Sequence, residues 1–265
     1  MTLQLLISTI DGNIDNIVDM LLEPSEGISY LVSWQHSDGN SKRDIPLALQ
    51  RDDVTVCHLE GRGLSRNRNN CIDHATADIC LIADDDCRYT TQWLDNVRQT
   101  FAAHPEVDIA TFRELNRCAD IYPQHEMDLR DRSKNYSATS IEVAFRRSSV
   151  QGHLRFNELF GLGSPALHCG EEEVFLHDAL AMGMNCRFFP VVAVRHDGPT
   201  TAVTRAADGG TLMARGAFLA IAYKGTMVPR IFLISYRLHR DYGVPFWFAV
   251  KKMTAGVVYY FRNCH

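Results

Sequence analysis

Three adjacent aspartates, Asp84–Asp86, directly follow the apolar run Ile79–Ala83. A short apolar run of this kind predicts a buried strand. Three carboxylates at the carboxyl end of a strand repel one another unless a cation or solvent screens their charge. Carboxylate oxygens on an open edge suit Mg²⁺ or Mn²⁺, which keep coordination sites for water and phosphate oxygens. An isolated acidic triplet is usually a solvated turn, but the position at the end of a buried strand favours a metal site.

Three further segments carry groups suited to binding or proton transfer. Gly61–Asn69 is a glycine-bearing turn with arginines that leads into a predicted helix, and such a turn can hold a diphosphate. Gly170–Leu176 opens a predicted helix with three glutamates, which by themselves indicate a favourable interaction with the helix dipole. His196 follows the last predicted strand, and a single histidine in that place is more often structural than a ligand.

The segments that must position these residues alternate between strands and helices over the first 112 residues. Apolar runs predict the strands Leu3–Ser8, Ile28–Trp34, Val54–His58, Ile79–Ala83 and Val107–Phe112. Helical patterns predict Asn13–Leu22, Ser65–Thr76 with Ser65 as its cap, and Thr91–Ala103. This alternation implies right-handed crossovers and a mainly parallel sheet. Ligands of such sheets gather beyond the carboxyl ends of the strands.

The second half of the chain is less regular. Arg113–Asn135 is predicted as an irregular insert, and Ser137–Arg147 as a strand with Ile141, Val143 and Phe145 on one face. Phe156–Cys169 is predicted as a loop. A helix follows over Glu171–Met182 and stops at Gly183, and the last predicted strand is Arg187–Val194. The acidic segment therefore begins the last predicted helix of this series, and His196 follows the last predicted strand.

Taken together, these motifs resemble the family 2 glycosyltransferases of the GT-A fold. The Arg68-Asn69 pair opens a helix and precedes the Asp84–Asp86 triplet, similar to that family's Arg-Asn pair and Asp-x-Asp motif. Phe156–Gly163 is similar to the loop before the family's acidic motif, and Glu171-Glu172 matches its Glu-Asp pair. The resemblance runs from about Leu3 to His196. It implies an α/β GT-A fold, a mixed sheet flanked by helices, here followed by a C-terminal helical region.

The resemblance also implies a chemistry. It implies transfer from a nucleotide-diphosphate sugar to a saccharide or lipid-linked acceptor, with Mn²⁺ or Mg²⁺ as cofactor. The implied metal ligands are Asp84, Asp86 and His196. The implied nucleotide-sugar contacts are Thr9, Asp11, Gln35, Asp38, Arg68, Asp84 and Asp85. The family commonly has an Asp that contacts the base after the second strand. This chain has Ser33–Asp38 there, and Gln35 and Asp38 are the alternatives for that contact.

The implied general base lies in the acidic helix. Glu172 stands where the family's pair usually ends in Asp, and Glu171 precedes it. The extra methylene changes the reach of the carboxylate, so Glu171, Glu172 and Glu173 are alternatives, of which Glu172 is favoured. Removal of a proton from the acceptor hydroxyl contributes about 10² to 10⁴ in rate. In-line attack on the sugar then inverts its anomeric centre.

The composition limits the classes of protein that fit. The chain has 265 residues, of which 46% are hydrophobic and 22% charged, which excludes a disordered or low-complexity chain. A net charge of −5 gives no global basic field, so nucleic acid is not an expected partner. Eight cysteines without Cys-x-x-Cys spacing indicate reduced thiols, and Met1–Asp11 lacks the pattern of a secretory signal. These features predict a cytoplasmic protein.

The charge is unevenly distributed. Residues 211–265 carry eight basic residues and one acid, a net charge of +7, so the remainder of the chain carries −12. The predicted organisation is a glycosyltransferase domain over 1–196, a linker or mobile loop over 197–210 and a basic amphipathic helical region over 211–265. Aromatic and basic residues in that region fit two interpretations. One is peripheral attachment to the anionic inner face of a membrane, and the other is a helical subdomain that packs on the sheet or forms a homodimer.

Two other functions compete with sugar transfer. A nucleotidyltransferase would ordinarily have a glycine-rich basic loop after the first strand, whereas Ser8–Asn13 contains no basic residue. A degenerate GT-A scaffold or assembly protein is supported by Glu172 and by the missing base-contacting Asp. The enzyme is favoured by retention of Asp84, Asp86, Glu171, Glu172 and His196. A basic aromatic tail suits surface polysaccharide or glycolipid synthesis.

Overall fold

The computed structural model describes residues 1–40, 43–131, 136–197 and 207–264. The chain divides into two compact units. Met1–Arg62, Arg66–Arg155 and Asp178–Gly198 form the first, called the sheet unit. Gly63–Ser65, Phe156–His177 and Pro199–His265 form the second, called the helical unit. The helical unit thus combines the predicted loop and the start of the acidic helix with the C-terminal region.

The sheet unit is built on a mixed sheet. Among the described residues its strands are β1 Leu3–Ile10, β2 Ile28–His36, β3 Val54–Glu60, β4 Ile79–Asp84, β5 Cys87–Arg88, β6 Ile109–Glu114, β7 Met127–Asp128, β8 Val143–Arg146 and β9 Cys186–His196. Their order is β3-β2-β1-β4-β8-β6-β9-β5, and β7 also pairs with β9. The first four strands in this order are parallel, so their carboxyl ends lie at one edge. β8 is antiparallel to both β4 and β6.

The helices of the described residues follow the predicted order. They are α1 Leu64–His74, α2 Thr91–Ala103, α3 Arg147–Val150, α4 Glu171–Ala181, α5 Gly209–Ala222, α6 Met227–Tyr242 and α7 Phe246–Asn263. α2 has the predicted bounds, because Thr90 caps it by accepting a hydrogen bond from the Trp93 amide. None of these helices is long and apolar enough to cross a membrane.

The apolar runs explain the sheet. Every residue of Ile79–Ala83 has a relative exposure of 1% or less, as expected for a strand covered on both faces. Leu3, Leu5 and Ile7 of β1 are buried in the same core, as are Leu94, Val97 and Phe101 of α2. The predicted mixed sheet flanked by helices is therefore confirmed. All eight cysteines are free thiols, as predicted.

Some predicted bounds were wrong in the first third of the chain. The predicted helix Asn13–Leu22 is a 3₁₀ helix over Asp11–Met20. Its buried side chains recur every third residue, which fits three residues per turn better than 3.6. β2 and β3 continue to His36 and Glu60, two residues past their predicted ends, because their pairing continues that far.

Ser65 is not the cap of α1. It lies inside the helix, within the helical unit, and its hydroxyl donates a hydrogen bond of 2.6 Å to the carbonyl of Phe160. The serine therefore ties the start of the helix to the loop that precedes the acidic motif. Nothing in the spacing of the sequence distinguishes this use of a serine from capping.

The segments after β6 also differ from the prediction. The insert Arg113–Asn135 begins inside β6 and contains β7, and residues 132–135 lie outside the described part of the chain. The predicted strand Ser137–Arg147 is shortened to β8, because Ser140–Glu142 forms a 3₁₀ turn closed by a hydrogen bond from the Thr139 amide to the Glu142 carboxylate. Ile141 is buried but lies outside the strand.

Most of the predicted linker 197–210 lies outside the described residues, which resume at residue 207. Its last two residues belong to α5, since Asp208 caps that helix by accepting from the Thr211 amide at 2.8 Å. Burial alone would raise the pKa of Asp208, but hydrogen bonds from Thr211 and His168 outweigh it and lower the pKa. The helix start is therefore set by a half-buried acid within the helical unit.

The helical unit depends on close contact between α5 and α7. A Cβ atom placed on Gly216 would lie 1.9 Å from the carbonyl oxygen of Met253. A Cβ atom on Gly256 would lie 1.9 Å from the carbonyl oxygen of Met213, so the approach is reciprocal. Two backbones can come this close only where both helices have glycine at the crossing.

Replacing either crossing glycine should destabilise the helical unit. We expect Gly216→Ala and Gly256→Ala each to lower the free energy of unfolding by about 1–3 kcal/mol, since the added methyl group must push the helices apart. Gly225→Ala is the matched control, because a Cβ there meets open space and the glycine has no positive φ. Denaturant unfolding of the three variants measures this, and unchanged stability in Gly216→Ala would contradict the packing described.

Candidate active site

The three carboxylates of the triplet have three different environments. Asp84 is the last residue of β4 and lies beside Ser8 of β1 in the parallel register. Asp85 and Asp86 form the turn between β4 and β5. All three therefore lie at the carboxyl edge of the parallel strands, where the sequence predicts a ligand site.

Asp84 is held by a buried arginine. The Arg68 guanidinium, on α1, donates to Asp84 Oδ1 at 2.8 Å and to the Ser140 hydroxyl at 2.7 Å. Arg68 has a relative exposure of 2%, whereas the side chain of Asp84 is 33% exposed. A buried cation next to one aspartate offsets part of the negative charge of the triplet. Arg68 was predicted to contact the nucleotide, and the structure brings it to Asp84.

Asp85 is paired with a neutral hydroxyl instead. Thr9, at the end of β1, donates to Asp85 Oδ2 at 2.6 Å, and the Thr9 carbonyl accepts from the side chain of Asn67 at 2.9 Å. Burial, followed by the charges of Asp84 and Asp86, raises the pKa of Asp85 to about 6, although the Thr9 hydrogen bond opposes this. The environment of Asp85 therefore disfavours its charged form.

Asp86 is paired with an imidazole. β5 and β9 are antiparallel with Cys87 opposite His196, which brings the histidine next to the triplet. His196 Nε2 lies 3.0 Å from Asp86 Oδ2. The Asp86 side chain is 52% exposed and that of His196 is 14% exposed. A half-exposed carboxylate beside a nitrogen ligand is the part of the site best suited to a cation.

The donor set fits a divalent ion that shares its coordination with a ligand. Carboxylate oxygen and imidazole nitrogen are both ligands of Mn²⁺, and Mg²⁺ favours the oxygen. The described residues contain no group of three or more histidine, cysteine or acidic side chains arranged to hold a metal. Asp86 and His196 would therefore supply two positions, and phosphate oxygens and water the others.

Asp11 joins the ends of the first two strands. Its two carboxylate oxygens accept from the Ser37 amide at 2.9 Å and the Ser37 hydroxyl at 2.6 Å. Its carbonyl accepts from the Trp34 indole at 2.8 Å. Asp11 has φ of 49°, a left-handed conformation in which Asp is more easily accommodated than most residues. These bonds fix the chain where the nucleoside pocket is predicted to begin.

The two alternatives for base contact lie in different places. Gln35 is inside β2 with a relative exposure of 2%, opposite Ile10 of β1. Asp38 is in the exposed turn after β2, where it accepts from Arg43 at 2.6 Å and from the Asn40 amide at 3.0 Å. Asp38 is therefore the more accessible of the two, and its carboxylate already has two donors.

Two histidines lie close together on neighbouring strands: the buried His36, which follows Gln35 on β2, and the half-buried His58 on β3, whose register partner is Trp34. His36 Nε2 lies 2.9 Å from His58 Nδ1, and the two rings are stacked with centroids 5.1 Å apart. The Trp34 ring lies 4.6 Å from His36. Burial, and then repulsion from His58, lowers the pKa of His36. This cluster supports the same edge of the sheet, and the sequence analysis did not find it.

Ser140, the second partner of Arg68, is fixed by a buried acid. Glu142 is fully buried in the turn that contains Ser140 and accepts from both the Tyr122 hydroxyl and Arg117, the latter at 3.0 Å. Burial raises the pKa of Glu142 despite the nearby Arg117 charge. The orientation of Arg68 thus depends on a network that begins beyond β6.

The acidic helix belongs to the helical unit. Glu171 is buried, and its carboxylate lies beside Gly161, where a Cβ atom would be 3.3 Å from it. Glu172 and Glu173 are half-buried. Burial, and next the charge of Glu172, raises the pKa of the Cys169 thiol to about 12. Of the three glutamates, Glu171 is thus enclosed in the loop, and Glu172 remains accessible.

The C-terminal helices support this acidic segment. Phe160, Leu167 and Val174 share a buried apolar cluster with Ala214 and Ala217 of α5. Within the helical unit, His168 also bonds the capping carboxylate of Asp208 at 3.0 Å. The base candidates are therefore held by residues from the C-terminal region.

The model for the family described as Glycosyl transferase family 2 matches residues 37–157. This span includes two of the motifs on which the resemblance rests, the Arg68-Asn69 pair and the Asp84–Asp86 triplet, whereas the Glu171-Glu172 pair lies outside it. Over these residues the chain is similar to the family 2 glycosyltransferases. No curated protein matches it significantly.

Solved structures resemble this chain over its whole length. The crystal structure of S. aureus TarS 1–349 has 11% identity and a TM-score of 0.59, covering 100% of this chain and 93% of that chain. The same protein in complex with UDP-GlcNAc has 11% identity and a TM-score of 0.56, covering 99% and 92%. The mannosyltransferase PcManGT from Pyrobaculum calidifontis, in complex with GDP-Man and Mn²⁺, has 17% identity and a TM-score of 0.56, covering 99% and 76%. These likenesses show the GT-A fold.

The sheet unit brings together most of the predicted site residues: Thr9 with Asp85, Arg68 with Asp84, and His196 with Asp86. Asp11 contacts Ser37 rather than the triplet. Gln35 is buried, whereas Asp38 is exposed. The residues that sequence reasoning missed are Ser37, Asn67, Ser140 and the histidine pair. Of these residues, the sequence motifs pointed only to Asn67, because it lies inside Gly61–Asn69.

The carboxylate of Asp11 should stabilise the fold in a pH-dependent way. The Ser37 hydroxyl, then the Ser37 amide, lowers the pKa of Asp11 below its usual value of 3.8. Because the folded-state pKa is lowered, the stabilisation is fully present above the unfolded pKa and is lost as pH falls through the folded one. We expect Asp11→Asn to lower the free energy of unfolding by up to about 1 kcal/mol at pH 7, with a smaller difference below pH ~3.8.

Denaturant unfolding at a series of pH values checks this. Asp15→Asn is the control, because Asp15 is exposed in the same 3₁₀ helix, and it should leave stability unchanged. A difference between wild type and Asp11→Asn that stays constant down to the lowest pH would show that the charge of Asp11 is not what stabilises the turn.

Proposed function

We propose that this enzyme is a metal-dependent, inverting glycosyltransferase that moves a sugar from a nucleotide-diphosphate sugar to an acceptor hydroxyl in surface polysaccharide or glycolipid synthesis. The observation that carries the proposal is the arrangement of the triplet, in which Asp86 and His196 converge at the carboxyl edge of the parallel strands. Similar structures contain UDP, UDP-GlcNAc, or GDP-Man with Mn²⁺, which supports a nucleotide-sugar donor.

In this proposal the sheet unit binds the donor. Asp86 and His196 would hold Mn²⁺ or Mg²⁺, with Asp84 as a further candidate ligand or nucleotide contact. When bound, a divalent cation supplies Lewis-acid stabilisation of the negative charge on a leaving diphosphate. Thr9, Asp11 and either Gln35 or Asp38 would contact the nucleoside. Asp85 would contact the sugar nucleotide, and Arg68 would face the nucleotide while it holds Asp84 in place.

In the proposed reaction, the base is Glu172 of α4. Glu172 accepts the proton of the acceptor hydroxyl while that oxygen forms a bond to the anomeric carbon. The bond from the anomeric carbon to the diphosphate oxygen breaks, and its electron pair leaves with the nucleoside diphosphate. Attack from the face opposite the leaving group inverts the anomeric centre. Glu172 is favoured over Glu171 because Glu171 is buried against Gly161, whereas Glu172 is half-buried and accessible.

The donor can be found before transfer is measured. A thermal-shift screen of nucleoside diphosphates and their sugars with Mn²⁺ identifies it, since a ligand at a hundredfold excess over its Kd adds about 2.7 kcal/mol to stability. The sugar nucleotide with the largest shift is then used for assays of transfer to saccharide and lipid-linked acceptors. No shift with any of them would favour the scaffold interpretation.

Two substitutions should abolish transfer without unfolding the protein. We expect Asp86→Ala and Glu172→Gln each to lower kcat by about 10² or more, and Glu172→Asp to keep measurable activity because it retains a carboxylate. Glu173→Gln is the matched control, since Glu173 is equally half-buried one residue along α4, and it should keep near-normal turnover. Thermal melts verify the fold of each variant.

Near-normal turnover in Asp86→Ala or in Glu172→Gln would contradict these assignments. Loss of activity in Glu173→Gln together with normal activity in Glu172→Gln would move the base by one position. Product of retained anomeric configuration, detected by nuclear magnetic resonance, would exclude the inverting mechanism.

A further inference from the structure

The last two helices each have a buried face that accounts for their packing. On α6 the buried residues include Ile231, Ser235 and Leu238. On α7 they include Ala249, Met253 and Val257, and these residues share one apolar cluster with Ile231 and Leu238 of α6. The remaining faces of both helices are turned away from this cluster.

Those remaining faces are also apolar, although they are exposed. They form what we call the outer face of the two helices, made up of Val228, Phe232, Leu233, Tyr236, Trp247, Phe248, Val258 and Phe261. Each of these residues is at least 39% exposed, and Trp247 reaches 71%. Val228, Phe232 and Tyr236 recur every four residues, as expected for one side of a helix. An apolar surface of this extent on a protein usually marks an interaction site.

The aromatic side chains of the two helices meet. The ring of Phe246 lies 6.2 Å from that of Phe232 on α6 and 5.0 Å from that of Trp247 on α7. The outer face is therefore continuous across the turn that contains Gly243, whose left-handed conformation ends α6. A continuous patch can contact one extended surface.

Basic residues border the outer face. Arg230, Arg237 and Arg240 are exposed on α6, and Lys251 and Arg262 are exposed on α7. Residues 227–263 contain a single acid, Asp241, which bonds to Arg240 at 2.6 Å. Exposed aromatic residues flanked by Lys and Arg are typical of helices that lie in the interface of an anionic bilayer.

An open groove of about 350 Å³ lies beside this face, between α5 and α7. It is lined by Met213, Thr254, Ala255, Val258, Tyr259 and Arg262. Its walls are largely apolar, and a cation lies at one side. That combination matches a hydrocarbon chain with an anionic headgroup.

We propose that the outer face of α6 and α7 binds the surface of an anionic lipid bilayer. The aromatic and aliphatic side chains enter the interfacial zone, and the five exposed basic residues contact lipid headgroups. A second copy of the chain fits less well, because a two-fold interface would bring the same basic patch from each copy together. The proposal goes beyond the transfer reaction and needs no substrate for its test.

Sedimentation of the full-length protein with vesicles tests it. Vesicles of phosphatidylglycerol and phosphatidylcholine should sediment the protein, whereas vesicles of pure phosphatidylcholine should bind it much more weakly. High salt should release it, because headgroup attraction is screened within a Debye length. Trp247 emission should shift to shorter wavelength on binding, and Trp247→Phe should lose that shift while still sedimenting.

Matched variants distinguish the contacts of the apolar side chains from those of the basic side chains. Phe232→Ser with Trp247→Ser should weaken vesicle binding about tenfold or more. Arg237→Glu and Lys251→Glu should each weaken it at least about fivefold, whereas Arg237→Lys and Lys251→Arg should bind as wild type. Leu47→Ser is the control for exposed apolar residues elsewhere, since Leu47 is 83% exposed in the sheet unit. Thermal melts of all variants should match wild type because the substituted side chains are exposed.

Absence of binding to anionic vesicles would overturn the proposal, as would unchanged binding by the Phe232→Ser, Trp247→Ser variant. Analytical ultracentrifugation supplies a further criterion. If the wild-type protein does not bind vesicles but forms a dimer, and that dimer dissociates in this variant, the outer face binds a second copy of the chain instead.

Discussion

Three carboxylates placed in succession at the end of a buried strand impose the main constraint on this protein. Adjacent aspartates repel one another most strongly where burial reduces solvent screening. The sheet unit resolves this by giving each its own partner: a buried guanidinium for Asp84, a hydroxyl for Asp85 and an imidazole for Asp86. Only the third pairing leaves the carboxylate half-exposed beside an imidazole, and this is the position that we propose for a cation.

Each partner is supplied by a different part of the fold. Thr9 arrives through the parallel register of β1 and β4, and His196 through the antiparallel pairing of β5 with β9. Arg68 comes from α1 and is oriented by Ser140, whose turn is fixed by the fully buried Glu142. The site thus depends on strands that lie far apart in the sheet order. The helical unit has a parallel requirement, because the acidic segment is packed against α5, and α5 needs the two crossing glycines to approach α7.

Much of this could be predicted from the sequence where a pattern is local. The apolar run before Asp84 predicted β4, the capping Thr90 fits the predicted start of α2, and the motif order identified the family. The partners of the site residues could not be predicted, because they join positions such as 9 and 85 or 11 and 37 through strand register. The 3₁₀ helix Asp11–Met20 and the turn at Ser140–Glu142 could not be predicted either, because both segments are too short to show a clear periodicity. The packing of the C-terminal region against the acidic helix was not predicted. The two segments were assigned to different regions because their charges differ, and charge does not reveal which helices pack together.

The division of the triplet is tested most directly by Mn²⁺ binding, measured by electron paramagnetic resonance in the presence of UDP or GDP. The variants are Asp85→Asn, Asp86→Asn and His196→Ala. The account predicts that Asp86→Asn and His196→Ala weaken Mn²⁺ binding about tenfold or more, whereas Asp85→Asn binds nearly as wild type. Equal weakening in all three would mean that the triplet acts as an undivided acidic cluster, and weakening in Asp85→Asn alone would place the cation elsewhere. Either result would contradict the account.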